Sequence, residues 1–125
     1  MSDGSKEPKE TARSGYFEGE RLELVWRFAY RPEFVPLLMD YLGVLPQSNV
    51  LEVGCGTGFL SRLIAKSVDG VQATGLDTDR ASLELGRALV AAEDLEDHVK
   101  LISGSAFELP FPDEHFDTVT SQTLL

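Results

Sequence analysis

Apolar positions repeat along this chain with two different periods, and the switches between them mark out its elements. From Glu18 to Tyr30, the residues Leu22, Val25, Trp26 and Ala29 fall at helical spacing with charged residues on the other face, which predicts an amphipathic helix. Pro32 can open a second helix, whose stripe runs through Phe34, Val35, Leu37, Leu38, Tyr41 and Leu42 until Gly43 and Pro46 end it. At Asn49 the period shortens. Val50, Leu51 and Val53, interrupted only by Glu52, lead straight into Gly54-Cys55-Gly56-Thr57-Gly58, as a buried parallel strand entering a glycine turn would. Phe59, Leu60, Leu63, Ile64, Ser67 and Val68 then return to helical spacing, closed by Asp69-Gly70.

The same alternation continues downstream. Val71 to Leu76 reads as a second strand ending on Asp77, and either Thr78 or Asp79 is placed to cap the helix that follows. That helix has an apolar face of Leu83, Leu85, Ala88, Leu89 and Ala92 and stops in the acidic stretch Glu93 to Asp97. Val99 to Ile102 is a third strand, and after a loop with Pro110 and Pro112 the β-rich segment Phe116 to Thr120 is a fourth. Strands alternating with helices predict an α/β fold on a parallel sheet, because parallel neighbours need crossover connections. Met1 to Gly15, rich in Ser, Lys, Glu, Gly and Pro and without the apolar run of a signal peptide, is expected to be a solvated tail. Residues 16 to 46 are a helical lead-in and residues 47 to 125 the α/β unit.

Composition and charge narrow the function classes. The 125 residues are 42% hydrophobic, enough for one domain with its own core. Eleven Lys and Arg against 21 Asp and Glu give a net charge of −10, which disfavours sequence-independent attraction to nucleic acid or anionic lipid and favours a small-molecule partner. One cysteine permits neither an internal disulfide nor a thiolate-rich metal site. His98 and His115 stand outside any metal-ligand spacing, so no metal is expected. No stretch of 18 apolar residues occurs, so no membrane span is expected, and the cytoplasm is the simplest location.

The candidate chemistry lies at the ends of the first two strands. Glycine accepts positive φ and lets a ligand approach bare backbone, and three of the five residues of the turn are glycine. Ligands of open α/β sheets bind beyond the carboxyl ends of the strands, where a carboxylate ending the second strand can accept ribose hydroxyl hydrogen bonds. Asp77 stands there. The dinucleotide fingerprint wants glycine at its sixth position, where counting from Gly54 gives Phe59, and a P-loop needs a lysine that does not follow Gly58. A glycine turn without a ligand is the plainer alternative, and Asp77 weighs against it.

Val50-Leu51-Glu52-Val53-Gly54-Cys55-Gly56-Thr57-Gly58 resembles motif I of class I S-adenosylmethionine (SAM)-dependent methyltransferases. Gly75-Leu76-Asp77 is similar to the acidic end of that family's second strand, and the segment from Gly104 to Asp117 resembles its ubiquinone and menaquinone methyltransferase-like branch. The resemblance covers about residues 32 to 125. It implies a Rossmann-like sheet with strands ordered 3-2-1-4, truncated before the last three strands of the seven-strand fold, with residues 47 to 125 as its SAM-binding half. It also implies a cofactor site in which Gly54, Cys55, Gly56 and Gly58 lie against the methionine end of SAM and Glu52 helps to fix that end. Asp77 would take the ribose hydroxyls, with Thr78 beside the adenine. Ser105, where the branch commonly has a carboxylate on the exocyclic amine, and the Ala106 backbone would border the adenine. Ser121 and Gln122 would lie near the reacting methyl, and Tyr16 and Tyr30 over the pocket.

Glu52 also reads as a structural acceptor tying the turn together, Cys55 as a small spacer and Trp26 as core packing. Methyl transfer needs positioning above all, so no catalytic base is nominated. About 90 further residues, at roughly 30 per strand-helix unit, would complete the resembled fold and its acceptor pocket. Activity of this chain alone is therefore expected to be weak or absent, and the open edge of the fourth strand invites self-association or a complementing chain. A non-catalytic SAM-binding subunit, or a module for another adenosine nucleotide, stays open beside the enzyme reading.

Overall fold

The computed structural model describes residues 31–112 and 115–121, so the predicted Glu18 to Tyr30 helix, with Trp26, and the positions Tyr16, Tyr30 and Gln122 lie outside the described residues. Pro32–Phe34 forms one 3-10 turn that runs into helix α1 (Val35–Leu42). Pro36 is tolerated in its first turn because the N–H that proline lacks would have had no partner there. Gly43 ends α1 at a φ of 72°, donating its N–H to the carbonyls of Met39 and Asp40. Then follow β1 (Asn49–Val53), α2 (Phe59–Ser67), β2 (Gln72–Asp77), α3 (Arg80–Ala92), β3 (Val99–Ser103) and β4 (Thr118–Ser121).

The strands form one parallel sheet ordered β3-β2-β1-β4, the order that the resemblance implies. Glu52 on β1 stands between Gly75 on β2 and Thr120 on β4. The steps from β1 to β2 and from β2 to β3 run in one direction, so right-handed crossovers put α2 and α3 on the same face. There Ile64, Leu83 and Val90 join Val50, Ala73, Val99 and Leu101 in one core. Leu51, equally buried, points to the other face and lines a groove with Phe111, Phe116 and Val119.

The fourth strand begins at Thr118, two residues later than the pattern of β-formers predicts. Phe116 instead packs its ring edge-on against Phe111 and His115, at centroid distances of 4.9 and 4.6 Å. Asp117 then clamps the strand start, its side-chain Oδ2 accepting the Asn49 N–H at 2.8 Å while its own N–H donates to the Asn49 carbonyl at 2.8 Å. The reversal of direction between the two bonds fixes the register of β4 on β1. Among the described residues no helix is long and apolar enough to cross a membrane.

Candidate functional site

The carboxyl end of β1 continues its pairing into the turn: the N–H groups of Gly54 and Cys55 both donate to the Leu76 carbonyl, at 2.7 and 3.0 Å. The chain then reverses through three glycines at φ values of 74°, 59° and 79°, a left-handed backbone that side chains resist. The second and third glycines differ in purpose. A Cβ on Gly58 would meet the Leu101 side chain at 2.8 Å, so this glycine lets α2 start close against β3. A Cβ on Gly56 would meet nothing within 4 Å, so its bare backbone faces open space where a ligand can approach.

Asp77, at the end of β2, is held against this turn. Its Oδ2 accepts the Gly56 N–H at 2.8 Å and its Oδ1 accepts the Asp79 N–H at 2.9 Å. Each carboxylate oxygen keeps a second lone pair, so the residue can fix the turn and still accept hydroxyl hydrogen bonds. Of the two candidate caps for α3, Asp79 is the one used: its Oδ1 accepts from the Ala81 N–H at 3.2 Å and its Oδ2 from the Ser82 hydroxyl at 2.9 Å. Thr78 is left exposed beside Asp77.

Glu52 is buried, 3% exposed, beneath the turn. Its Oε1 accepts both the backbone N–H of Ser61 at 3.1 Å and the Ser61 hydroxyl at 2.7 Å. Ser61 is the third residue of α2, and the first N–H to bond within that helix is that of Arg62, to Gly58 at 2.8 Å. The Ser61 N–H therefore has no helical acceptor, and Glu52 supplies one from the preceding strand. Burial raises the Glu52 carboxyl from 4.5 to about 7, against the Ser61 hydrogen bonds and the Arg62 guanidinium, which lower it; the Asp77 charge raises it further.

Cys55 is buried between the glycines, and its Sγ donates to the Gly56 carbonyl at 3.5 Å. Burial, together with the charges of Glu52 and Asp77, pushes its thiol well above the ordinary range. Its sulfur would lie 2.7 Å from a Cβ on Gly75, so it is a tight spacer and no nucleophile. Across the sheet end, the Gly104 N–H donates to the Asp77 carbonyl at 3.0 Å and brings Ser105 and Ala106 to the same rim. The Ser105 hydroxyl already accepts the Phe107 N–H at 3.0 Å. The hydroxyl keeps its proton and a second lone pair for a further partner. Ser121 ends β4 opposite Val53.

The structure thus gathers Gly54, Gly56, Gly58, Glu52, Cys55, Asp77, Thr78 and Ser105 at one end of the sheet. Two participants were not read from the sequence. Ser61 has no recognisable spacing to Glu52, because the turn alone sets their approach. Arg62 is a charged residue among the apolar positions of α2, a signal visible only once that helix face is known to be buried.

A family profile described as a methyltransferase domain matches residues 50–125. The demethylmenaquinone methyltransferase of Symbiobacterium thermophilum is 46% identical over 77 residues, which are 60% of this chain and 30% of that protein. The one from Listeria monocytogenes strain HCC23 is 39% identical over 103 residues, 81% of this chain and 43% of that protein. Among solved structures, a SAM-dependent methyltransferase from Aquifex aeolicus superimposes with a TM-score of 0.68 at 18% identity, over 85% of this chain and 55% of that one. Another, from Thiobacillus denitrificans and in complex with S-adenosyl-L-homocysteine, gives 0.62 at 26% identity, over 74% and 36%. The fold and the glycine turn therefore define a Rossmann-like α/β domain of the class I methyltransferase type. The chain belongs to the methyltransferase domain family, is similar to these demethylmenaquinone methyltransferases, and spans less than half the length of these curated relatives.

Proposed function

We propose that the glycine turn and Asp77 bind SAM, and that the chain carries the cofactor-holding part of an enzyme that methylates a small molecule. The observation that carries this reading is Gly56: its Cα faces open space at positive φ while its N–H is tied to Asp77, so bare backbone and a carboxylate meet at one spot. SAM, when bound, supplies a methyl group on a sulfonium. Asp77 would accept the ribose hydroxyls, Thr78 and the Ser105–Ala106 rim would border the adenine, and Gly54, Cys55, Gly56 and Gly58 would lie along the methionine portion with Glu52 beneath. Ser121 and Gln122 would lie toward the methyl group.

The protein's contribution to transfer would be orientation, which can lower such a barrier by roughly 7 to 11 kcal/mol in favourable cases without any catalytic base. A net charge of −10 supports a small-molecule acceptor over nucleic acid. Among the described residues β4 pairs only with β1, so its outer edge is where a further strand would add, from more of the same polypeptide or from a second chain.

Calorimetry of the chain with SAM, S-adenosyl-L-homocysteine and NAD tests the cofactor. SAM and its demethylated product are expected to bind and NAD not to. Equal binding of NAD, or heat from none of the three, would sink the reading.

A further inference from the structure

Helix α1 is apolar on two sides. Its inner side carries Val35, Leu38, Met39 and Leu42, which pack on the core beside α2. On the opposite side Phe34, Leu37 and Tyr41 follow one another at helical spacing and are 58%, 68% and 86% exposed, and Leu45, just past the end of the helix, is 68% exposed. A single exposed leucine needs no explanation. A continuous row of four, on the order of 500 Å² of side-chain surface, is as large as the patches that mark contact sites.

We propose that this outer face of α1 is the docking surface for residues 18–30 of the same chain, folded back on it as an antiparallel helical hairpin. The segment ends beside the face. Arg31 is extended, at φ −71° and ψ 140°, as the residue before a proline is pushed to be, so a helix ending at Tyr30 cannot run on into α1 and the chain turns through a short connection. The spacing matches in reverse. Leu22, Trp26 and Ala29 are separated by four and three residues, as are Tyr41, Leu37 and Phe34, so an antiparallel pairing sets each residue of one row against one of the other over about 10 Å of helix. The small Ala29 then meets the Phe34 ring next to the turn. Charge and area disfavour a second copy as the occupant. Residues 32 to 45 hold Glu33 and Asp40 and no Lys or Arg, so a second α1 would bring acids alone, whereas residues 18–30 bring Arg21 and Arg27 beside three glutamates. The exposed row also falls short of the roughly 800 Å² per partner of a stable contact between proteins. A segment already attached needs less, because the short connection sets its effective concentration.

Trp26 is the chain's one tryptophan, so its fluorescence reads the docking directly. In the native chain its emission should be blue-shifted and its quenching by acrylamide several-fold weaker than in urea. Leu37→Asp combined with Tyr41→Asp should bring the quenching close to the urea value. The urea transition read by circular dichroism should stay near that of the parent, because both residues lie outside the core. If that variant does not fold, Leu22→Cys combined with Tyr41→Cys carries the test: oxidation of the dilute chain should join the two new thiols within one chain. Trp26 as accessible in the native chain as in urea, or as shielded in the aspartate variant as in the parent, would overturn the proposal. New thiols that stay reduced, or that join only two different chains, would overturn it as well. A dimer of the parent that dissociates in the aspartate variant would give the face to a second copy instead.

Discussion

Asp77 Oδ2 accepts the Gly56 N–H at 2.8 Å, a bond that ties the end of β2 to the middle of the glycine turn that follows β1. The residue nominated for the ribose is thereby also the residue that holds the turn in its ligand-accepting shape. Stability and binding are coupled through one carboxylate, and substitutions at Asp77 should move both.

Asp77→Ala removes the acceptors of the Gly56 and Asp79 N–H groups together. Both groups can recruit water in this half-buried place, so the expected loss of stability is near the low end of the range for an orphaned donor, about 1 kcal/mol. The loss of SAM affinity should be larger, about tenfold or more, because the ribose acceptor goes as well. Thermal melting and calorimetry on the same preparation separate the two. A folded Asp77→Ala variant with unchanged SAM affinity would require another ligand for this site.

Two glycines predict opposite phenotypes. Gly56→Val meets open space and suffers only the strain of its left-handed backbone, roughly 1 to 2 kcal/mol, so the chain should fold and bind SAM poorly. Gly86→Ala, in the middle of α3, gains about 1 kcal/mol of helix propensity. That gain is outweighed: its Cβ would lie 2.4 Å from the Thr57 carbonyl oxygen, which is backbone and cannot swing away. A net loss of roughly 1 to 3 kcal/mol is expected, seen in urea denaturation. If Gly86→Ala is as stable as the parent, the close contact between α3 and the turn is wrong.

The alternation of periods makes β1, α2, β2, α3 and β3 readable to within a residue or two, because each buries one face and its breakers, Gly54 and Gly70, sit where a left-handed turn is needed. α1 is less legible: it starts at Val35, three residues after Pro32, and of its expected stripe Phe34, Leu37 and Tyr41 are exposed while Met39 is buried. The sequence also placed the glycine turn and Asp77 at one sheet end, since parallel strands share their direction. What it did not disclose depends on contacts between elements. Phe116 reads as a strand residue by propensity, but its ring finds partners in Phe111 and His115, and Asp117 sets the start of β4. Asp79 and Thr78 are equally good caps by type, and only the entry geometry of α3 selects Asp79. The pairing of Glu52 with Ser61, and the burial of Arg62, follow from how α2 lies on the sheet.

Cys55 should resist alkylation. Its thiol is buried and its ionisation is opposed by burial and by two carboxylates, so almost no thiolate exists at neutral pH. Iodoacetamide at pH 8 is expected to leave the native chain unlabelled and to modify it fully in urea, as read by intact mass. Rapid labelling of the folded chain would show that the turn opens, and would contradict the packing of Sγ over Gly75.

Glu52 gives the chain an unusual dependence of stability on pH. Its carboxyl has an ordinary value of 4.5 and is raised to about 7 in the folded state. Between these values the folded chain holds a proton on Glu52 that the unfolded chain has released. Stability contributed by this group is therefore fully present below about pH 4.5, falls as pH rises toward 7, and is then level. The difference corresponds to about 3 kcal/mol at most. Other carboxylates titrate in the same window, so the wild-type curve alone does not isolate the effect. Glu52→Gln does: its amide oxygen can still accept from Ser61, and it cannot titrate. Denaturant unfolding at intervals from pH 4.5 to 7.5 should show the wild type losing stability relative to Glu52→Gln as pH rises. Parallel curves for the two proteins would mean that Glu52 is already ionised at pH 4.5, and that burial does not govern this carboxyl.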